Sequence, residues 1–124
     1  DGLRVLLAED NDINAEIVMD MLKSSNIKCI RTKNGQDAVK AEKRHDFDVI
    51  LMDCQMPIMD GHTASKLIRS EGRNKDSVRI IALTANAFIE DKNACLEAGM
   101  NAHLSKPIRK QVLFDCIARE LASV

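Results

Sequence analysis

Tryptophan and tyrosine are absent from this chain, and only Phe47, Phe88 and Phe114 carry aromatic rings. A binder of single-stranded nucleic acid would therefore lack its stacking platforms. A net charge of -1 over 124 residues also removes the bulk attraction that duplex binding needs. No apolar stretch approaches the ~18 residues of a membrane-spanning helix, so no membrane contact by this domain is expected. No signal peptide opens the chain. Its four cysteines, Cys29, Cys54, Cys95 and Cys116, are widely spaced, with no CxxC pair and no metal-ligand spacing. Cys29 and Cys116 fall inside apolar patterns and read as small buried hydrophobes, not as a disulfide framework, which suits a reducing compartment. Neither GxGxxG nor a P-loop pattern follows the first strand candidate, so dinucleotide and P-loop nucleotide roles lose their support.

What is present is alternation. Strand candidates at Arg4–Glu9, Lys28–Lys33, Phe47–Asp53, Val78–Thr84 and Ala102–Ser105 are each followed by a helical pattern. The helices are expected over Ile13–Ser25, Gln36–His45, His62–Glu71, Phe88–Ala98 and Ile108–Ser123. Asp12 is the expected cap of the first, and Gly99 closes the fourth. The second has only Ala38, Val39 and Ala41 to bury, so it should be the least firmly held. The second strand is the weakest and reads as an edge. Five strands and five helices in strict order predict one α/β domain over residues 1–124, a parallel sheet with helices on both faces. The first residue is Asp1, and the domain is expected to be a piece of a longer protein.

Four strand ends carry reactive groups. Asp53 closes the apolar run Val49-Ile50-Leu51-Met52 just before a Pro/Gly turn, where an open α/β sheet does its chemistry. Glu9 and Asp10 follow the first strand. Three carboxylates converging on one crevice repel each other and need a hard cation, Mg²⁺, with Mn²⁺ as the alternative. Asp10 taken alone could equally cap the following helix. Lys106 directly follows the fifth strand, and Pro107 restricts it to extended geometry, which would hold its ammonium over the sheet end. Thr84 either caps the next helix or donates to a phosphoryl oxygen. Together these groups describe phosphoryl transfer to a carboxylate, with Asp53 as nucleophile and Lys106 neutralising a phosphoryl oxygen. Glu9, Asp10, Asp53 and the main-chain carbonyl near Gln55 would hold the metal.

Glu9-Asp10, Met52-Asp53, Met56-Pro57, Asp60-Gly61, Thr84-Ala85 and Lys106-Pro107 resemble the response-regulator receiver domain of two-component signalling along the whole chain. Ala8-Glu9-Asp10-Asn11, Met52-Asp53-Cys54-Gln55-Met56-Pro57 and Ala98-Gly99-Met100-Asn101 are most similar to receivers fused to hybrid sensor histidine kinases. The resemblance implies a flavodoxin-like (βα)5 domain and Mg²⁺ dependence. It implies a phosphohistidine donor on a histidine kinase or histidine phosphotransfer domain, and a cis bond between Lys106 and Pro107. It implies a domain that assists its own phosphorylation and dephosphorylation without being a multiple-turnover enzyme. The implied location is the cytoplasm, on a parent that is free or membrane-anchored.

One position departs from the family. Three residues before the lysine a Tyr or Phe ring normally swings inward with the threonine; here stands His103. It is either a modified switch with Thr84 or a rotamer without signalling role. Gln55 and Asn86 border the expected phosphoryl group and should set its lifetime. Ile13, Ile17 and Ile108 are candidates for donor docking, with Ile17 favoured as a core residue instead. His45 and His62 read as surface residues without metal-ligand spacing. The competing functions are an aspartyl-phosphate phosphatase and a receiver-like module that is never phosphorylated. Gln55 stands where such phosphatases carry a second acid, and an amide cannot transfer that proton.

Overall fold

The computed structural model describes residues 3–85 and 89–122. In chain order the elements are β1 (Arg4–Ala8), α1 (Asp12–Lys23), β2 (Lys28–Thr32), α2 (Gly35–Arg44), β3 (Val49–Asp53), α3 (Gly61–Glu71), β4 (Arg79–Thr84), α4 (Ile89–Glu97), β5 (Ala102–Ser105) and α5 (Lys110–Ala122). All five strands pair in parallel, in the order β2-β1-β3-β4-β5. This is the doubly wound α/β fold that the alternation predicts. The chain leaves β1 toward β2 on one side and continues from β3 through β5 on the other. The crevice at the carboxyl ends of β1 and β3 is therefore the topological switch point.

The unbroken apolar runs of β1, β3 and β4 are explained by cover on both faces. Leu6, Ile50, Met52, Ile80 and Ala82 face a cluster shared with α2 and α3. Val5, Leu7, Leu51, Ile81 and Leu83 alternate to the other side, against Val18 and Leu22 of α1 and Leu113, Cys116 and Ile117 of α5. Each fully buried Leu, Ile, Val or Met among them contributes roughly 1.5–3 kcal/mol of transfer free energy. β2 is an edge strand, as its weak pattern predicts, with Ile30 43% exposed.

Several local expectations shift. The α1 cap is Asn11, not Asp12: its side chain accepts the Asn14 N–H at 2.9 Å. Asp12 instead opens the helix and pairs with Arg31. Ala15, Val18 and Leu22 form the buried stripe of α1, which leaves Ile13 and Ile17 exposed, so Ile17 is not core. In α5, Val112 is 48% exposed, and the buried stripe runs through Leu113, Cys116, Ile117 and Glu120. Helix α2 is better held than its apolar content suggests. Glu42 is fully buried and accepts the backbone N–H groups of Arg73 and Asn74 at 2.9 and 2.8 Å. Gly99 ends α4 at φ +92, the left-handed backbone that favours glycine. The expected starts and ends of the last two helices at Phe88 and Ser123 lie outside the described residues.

Candidate functional site

The site is built from strand ends. β1 delivers Glu9, β3 delivers Asp53, β4 delivers Thr84, and the residue after β5 is Lys106. Register fixes their relation: Asp53 lies beside Leu83, and Thr84 beside Ser105. Two loop contacts seat Asp53. Cys54 donates its N–H to the Leu83 carbonyl, and Gly61 donates to the Cys54 carbonyl, each at 3.1 Å. The loop folds so tightly that a Cβ on Gly61 would run into the Asp53 carbonyl oxygen. Asp60, just before it, caps α3 by accepting the Thr63 N–H at 2.8 Å.

Lys106 is placed by its own backbone. Its N–H donates to the Thr84 carbonyl at 2.8 Å, and the Lys106–Pro107 bond is cis, as the resemblance implies. The ammonium then bridges two carboxylates, 2.9 Å from Glu9 Oε1 and 3.2 Å from Asp53 Oδ2. The second oxygen of Glu9 accepts the Asn11 N–H, and Asp53 Oδ1 accepts the Gln55 N–H, both at 3.2 Å. Burial pushes the Glu9 carboxyl above its ordinary range, and the adjacent Asp53 adds to that. Burial alone would lower Lys106; its hydrogen bond to Glu9 and the charge of Asp53 outweigh that and hold its pKa above the usual lysine value.

Glu9, Asp53 and Thr84 are buried, whereas Asp10 stands in solvent at the rim. One carboxylate oxygen from each of Glu9, Asp10 and Asp53 lies within 4.8 Å of the others. Oxygens around an octahedral magnesium are roughly 2.9–4.2 Å apart. The cluster is thus of the size one such ion spans, and an all-oxygen donor set fits a hard cation. All five groups line one open cleft of about 700 Å³, together with Asn14, Gln55 and Ala85. For Gln55, the N–H contact to Asp53 is what the structure defines. His103 is half-buried on β5, in register with Ala82, which puts it on the α2/α3 side of the sheet. Asn86 lies outside the described residues.

The site also holds what sequence spacing missed. His62 is not an isolated surface residue: its Nε2 lies 3.6 Å from Cys95 Sγ, which lies 3.8 Å from Cys54 Sγ. Outside the cleft, Arg69 is a second omission. Its guanidinium donates to the carbonyls of Val78 and Gly99 and to Asn101 Oδ1, tying α3 to the chain on either side of β4 and α4. A lone arginine in a helix gives no signal of this in sequence.

The model of the response regulator receiver domain matches residues 5–118. The chain belongs to this family. It is a receiver domain of the two-component type. It is 44% identical over 119 residues to hybrid signal transduction histidine kinase M of Dictyostelium discoideum, covering 93% of this chain and 5% of that protein. It is 37% identical over 118 residues to the sensor protein GacS of Pseudomonas syringae, covering 94% of this chain and 13% of that protein. The receiver thus spans only a small part of these curated relatives. Among solved structures it is similar to the receiver domain of sensor histidine kinase PA1611 from Pseudomonas aeruginosa, which has a magnesium ion coordinated in its active site cleft. That match has a TM-score of 0.90 and 39% identity, covering 98% of this chain and 99% of that one. It is also similar to a chain in the co-crystal structure of the Saccharomyces cerevisiae histidine phosphotransfer protein Ypd1 with the receiver domain of Ssk1. There the TM-score is 0.88 and the identity 34%, covering 97% of this chain and 89% of that one.

Proposed function

We propose that this receiver accepts a phosphoryl group from a phosphohistidine onto Asp53, within a larger signalling protein. The observation that carries the reading is the Lys106 ammonium held between Glu9 and Asp53 at the rim of three clustered carboxylates. Asp53 closes β3, the middle strand of the sheet, and lines the cleft. The P–N bond of the donor breaks, and a P–O bond forms to a carboxylate oxygen of Asp53, so no proton need be removed from the nucleophile. Mg²⁺ held by Glu9, Asp10 and Asp53 would neutralise charge on the phosphoryl oxygens. Lys106 would turn from Asp53 toward the incoming group, and the Thr84 hydroxyl would donate to it. Asn11 and Gln55, through their N–H groups, keep the Glu9 and Asp53 carboxylates oriented.

A histidine phosphotransfer domain or histidine kinase is the proposed donor. Ile13 is 70% and Ile17 47% exposed, and Ile17 shares a groove with Pro107 and Ile108 beside the cleft. These apolar side chains flank the route by which a phosphohistidine would reach Asp53. The added phosphate brings about two negative charges, which draw Thr84 inward and bias the α4–β5–α5 face. His103 on β5 belongs to that face as the switch position.

The test uses purified protein, Mg²⁺ and a small phosphodonor. Intact mass should show one added phosphoryl group, absent without Mg²⁺ and absent in Asp53→Asn. Unchanged labelling of Asp53→Asn would sink the reading. Sustained turnover of many phosphate esters would assign the phosphatase alternative instead.

A further inference from the structure

We infer that Cys54, His62 and Cys95 form a second metal site, for a borderline-soft divalent cation of the zinc class. The three residues come from separate elements: the residue after β3, the first turn of α3, and α4. One ligand atom from each lies within 4.8 Å of the other two. Cys54 Sγ and Cys95 Sγ are 3.8 Å apart, and Cys95 Sγ and His62 Nε2 are 3.6 Å apart. Two thiolates on a tetrahedral zinc stand about 3.8 Å apart, and a thiolate and an imidazole nitrogen about 3.5 Å, given zinc bonds near 2.3 and 2.0–2.1 Å. Both measured pairs thus match the spacing of donors on one ion, and the third pair, Cys54 with His62, lies within 4.8 Å. The sulfurs are also too far apart to be a disulfide, whose bond is about 2.05 Å.

The donor set separates this site from the carboxylate cluster beside it. Sulfur and imidazole select zinc-class ions, whereas three carboxylates select magnesium. Cys95 is buried, which shields the ion, while Cys54 and His62 line the open cleft and give it an entry path. A water from that cleft completes four-coordination. Each thiol releases its proton to solvent as the metal binds. The bound ion fastens α4 to α3 and to the residue that follows Asp53. This assignment stands on its own geometry, independent of whether Asp53 is phosphorylated.

The experiment titrates Co²⁺ into the reduced, metal-free chain with excess Mg²⁺ present to occupy the carboxylates. One equivalent of cobalt should produce thiolate-to-cobalt charge-transfer absorption and the intense d–d bands of tetrahedral coordination. Zn²⁺ should bleach them stoichiometrically. Cys54→Ser and His62→Ala should each weaken Zn²⁺ binding at least tenfold, measured against a chromophoric chelator. Cys29→Ser, on the opposite face of the sheet, should leave both readouts unchanged. Cys95 is buried, so the two half-buried positions carry the test if Cys95→Ser fails to fold. Absence of the charge-transfer band at one equivalent, or Zn²⁺ affinity unchanged in both Cys54→Ser and His62→Ala, overturns the assignment.

Discussion

Lys106→Met isolates the electrostatics of the cleft. Methionine keeps most of the apolar stem and removes the ammonium. The lysine side chain is 23% exposed, and those of Glu9 and Asp53 only 2% and 7%, so solvent screening cannot absorb the loss. Removing one partner of a buried ion pair costs roughly 3–5 kcal/mol, because a buried charge is left uncompensated. Protonation of Glu9 offers an escape. From the ordinary value of 4.5 this costs about 3.4 kcal/mol at pH 7, at about 1.36 kcal/mol per pKa unit. Burial has already pushed Glu9 upward, so the escape is cheaper than that. The expected destabilisation in metal-free buffer is therefore about 2–3 kcal/mol, or roughly 10 °C in Tm. Its pH dependence has a fixed sign. The folded-state pKa of Glu9 is raised, so the penalty is present above that pKa and is relieved as pH falls through it. The gap between wild type and variant should be widest at neutral pH and narrow toward pH 4.5, where Glu9 is half protonated even when unfolded. Mg²⁺ should raise the variant's Tm more than the wild type's, since it restores the missing positive charge. Scanning calorimetry across pH, with chelator and with Mg²⁺, reads all three effects. An unchanged Tm at pH 7 in chelator, or a gap that widens on acidification, would refute the reasoning.

Asp60 caps α3, so Asp60→Ala should cost about 1 kcal/mol in urea denaturation, while Asp60→Asn keeps the cap. The Thr63 N–H holds the Asp60 carboxyl below its ordinary 3.8, so its contribution is present above that value and fades as pH falls through the depressed one; Asp60→Asn should flatten that acid limb. Glu42→Gln puts an amide NH2 against one of two backbone donors, Arg73 or Asn74, and should cost about 2 kcal/mol, with faster hydrogen exchange at those two amides. Ile58 holds φ +70 with 77% of its surface exposed, a left-handed backbone that costs a β-branched residue about 1–2 kcal/mol; Ile58→Asn should raise the unfolding midpoint. Gly61→Ala should displace the Asp53 carbonyl and weaken Mg²⁺ binding, measured by isothermal titration, and Mg²⁺ affinity equal to wild type would show that the loop relaxes freely.

Taken alone, the sequence determined the order of elements, the parallel sheet and the strand-end groups. These follow from short-range rules: an apolar run of four or five residues, a turn signal, then a helical period. Glu9, Asp53, Thr84 and Lys106 were legible because each sits at a fixed offset from its strand, and a doubly wound sheet brings such offsets to one edge. Helix faces were less legible. Ile13, Ile17 and Val112 fit an apolar period but face solvent, because the neighbouring sheet covers only the arc that holds Ala15, Val18 and Leu22 in α1 and Leu113, Cys116 and Ile117 in α5. Nor could local pattern reveal buried polar ties such as Glu42 to Arg73 and Asn74, or Arg69 to Gly99 and Asn101. Only tertiary structure decided that Cys54, His62 and Cys95 meet. Their separations along the chain match no ligand spacing, and three elements must pack before their donor atoms come within 4.8 Å. A strand end is fixed by local chemistry; a contact across 33 or 41 residues is fixed by how helices settle on the sheet.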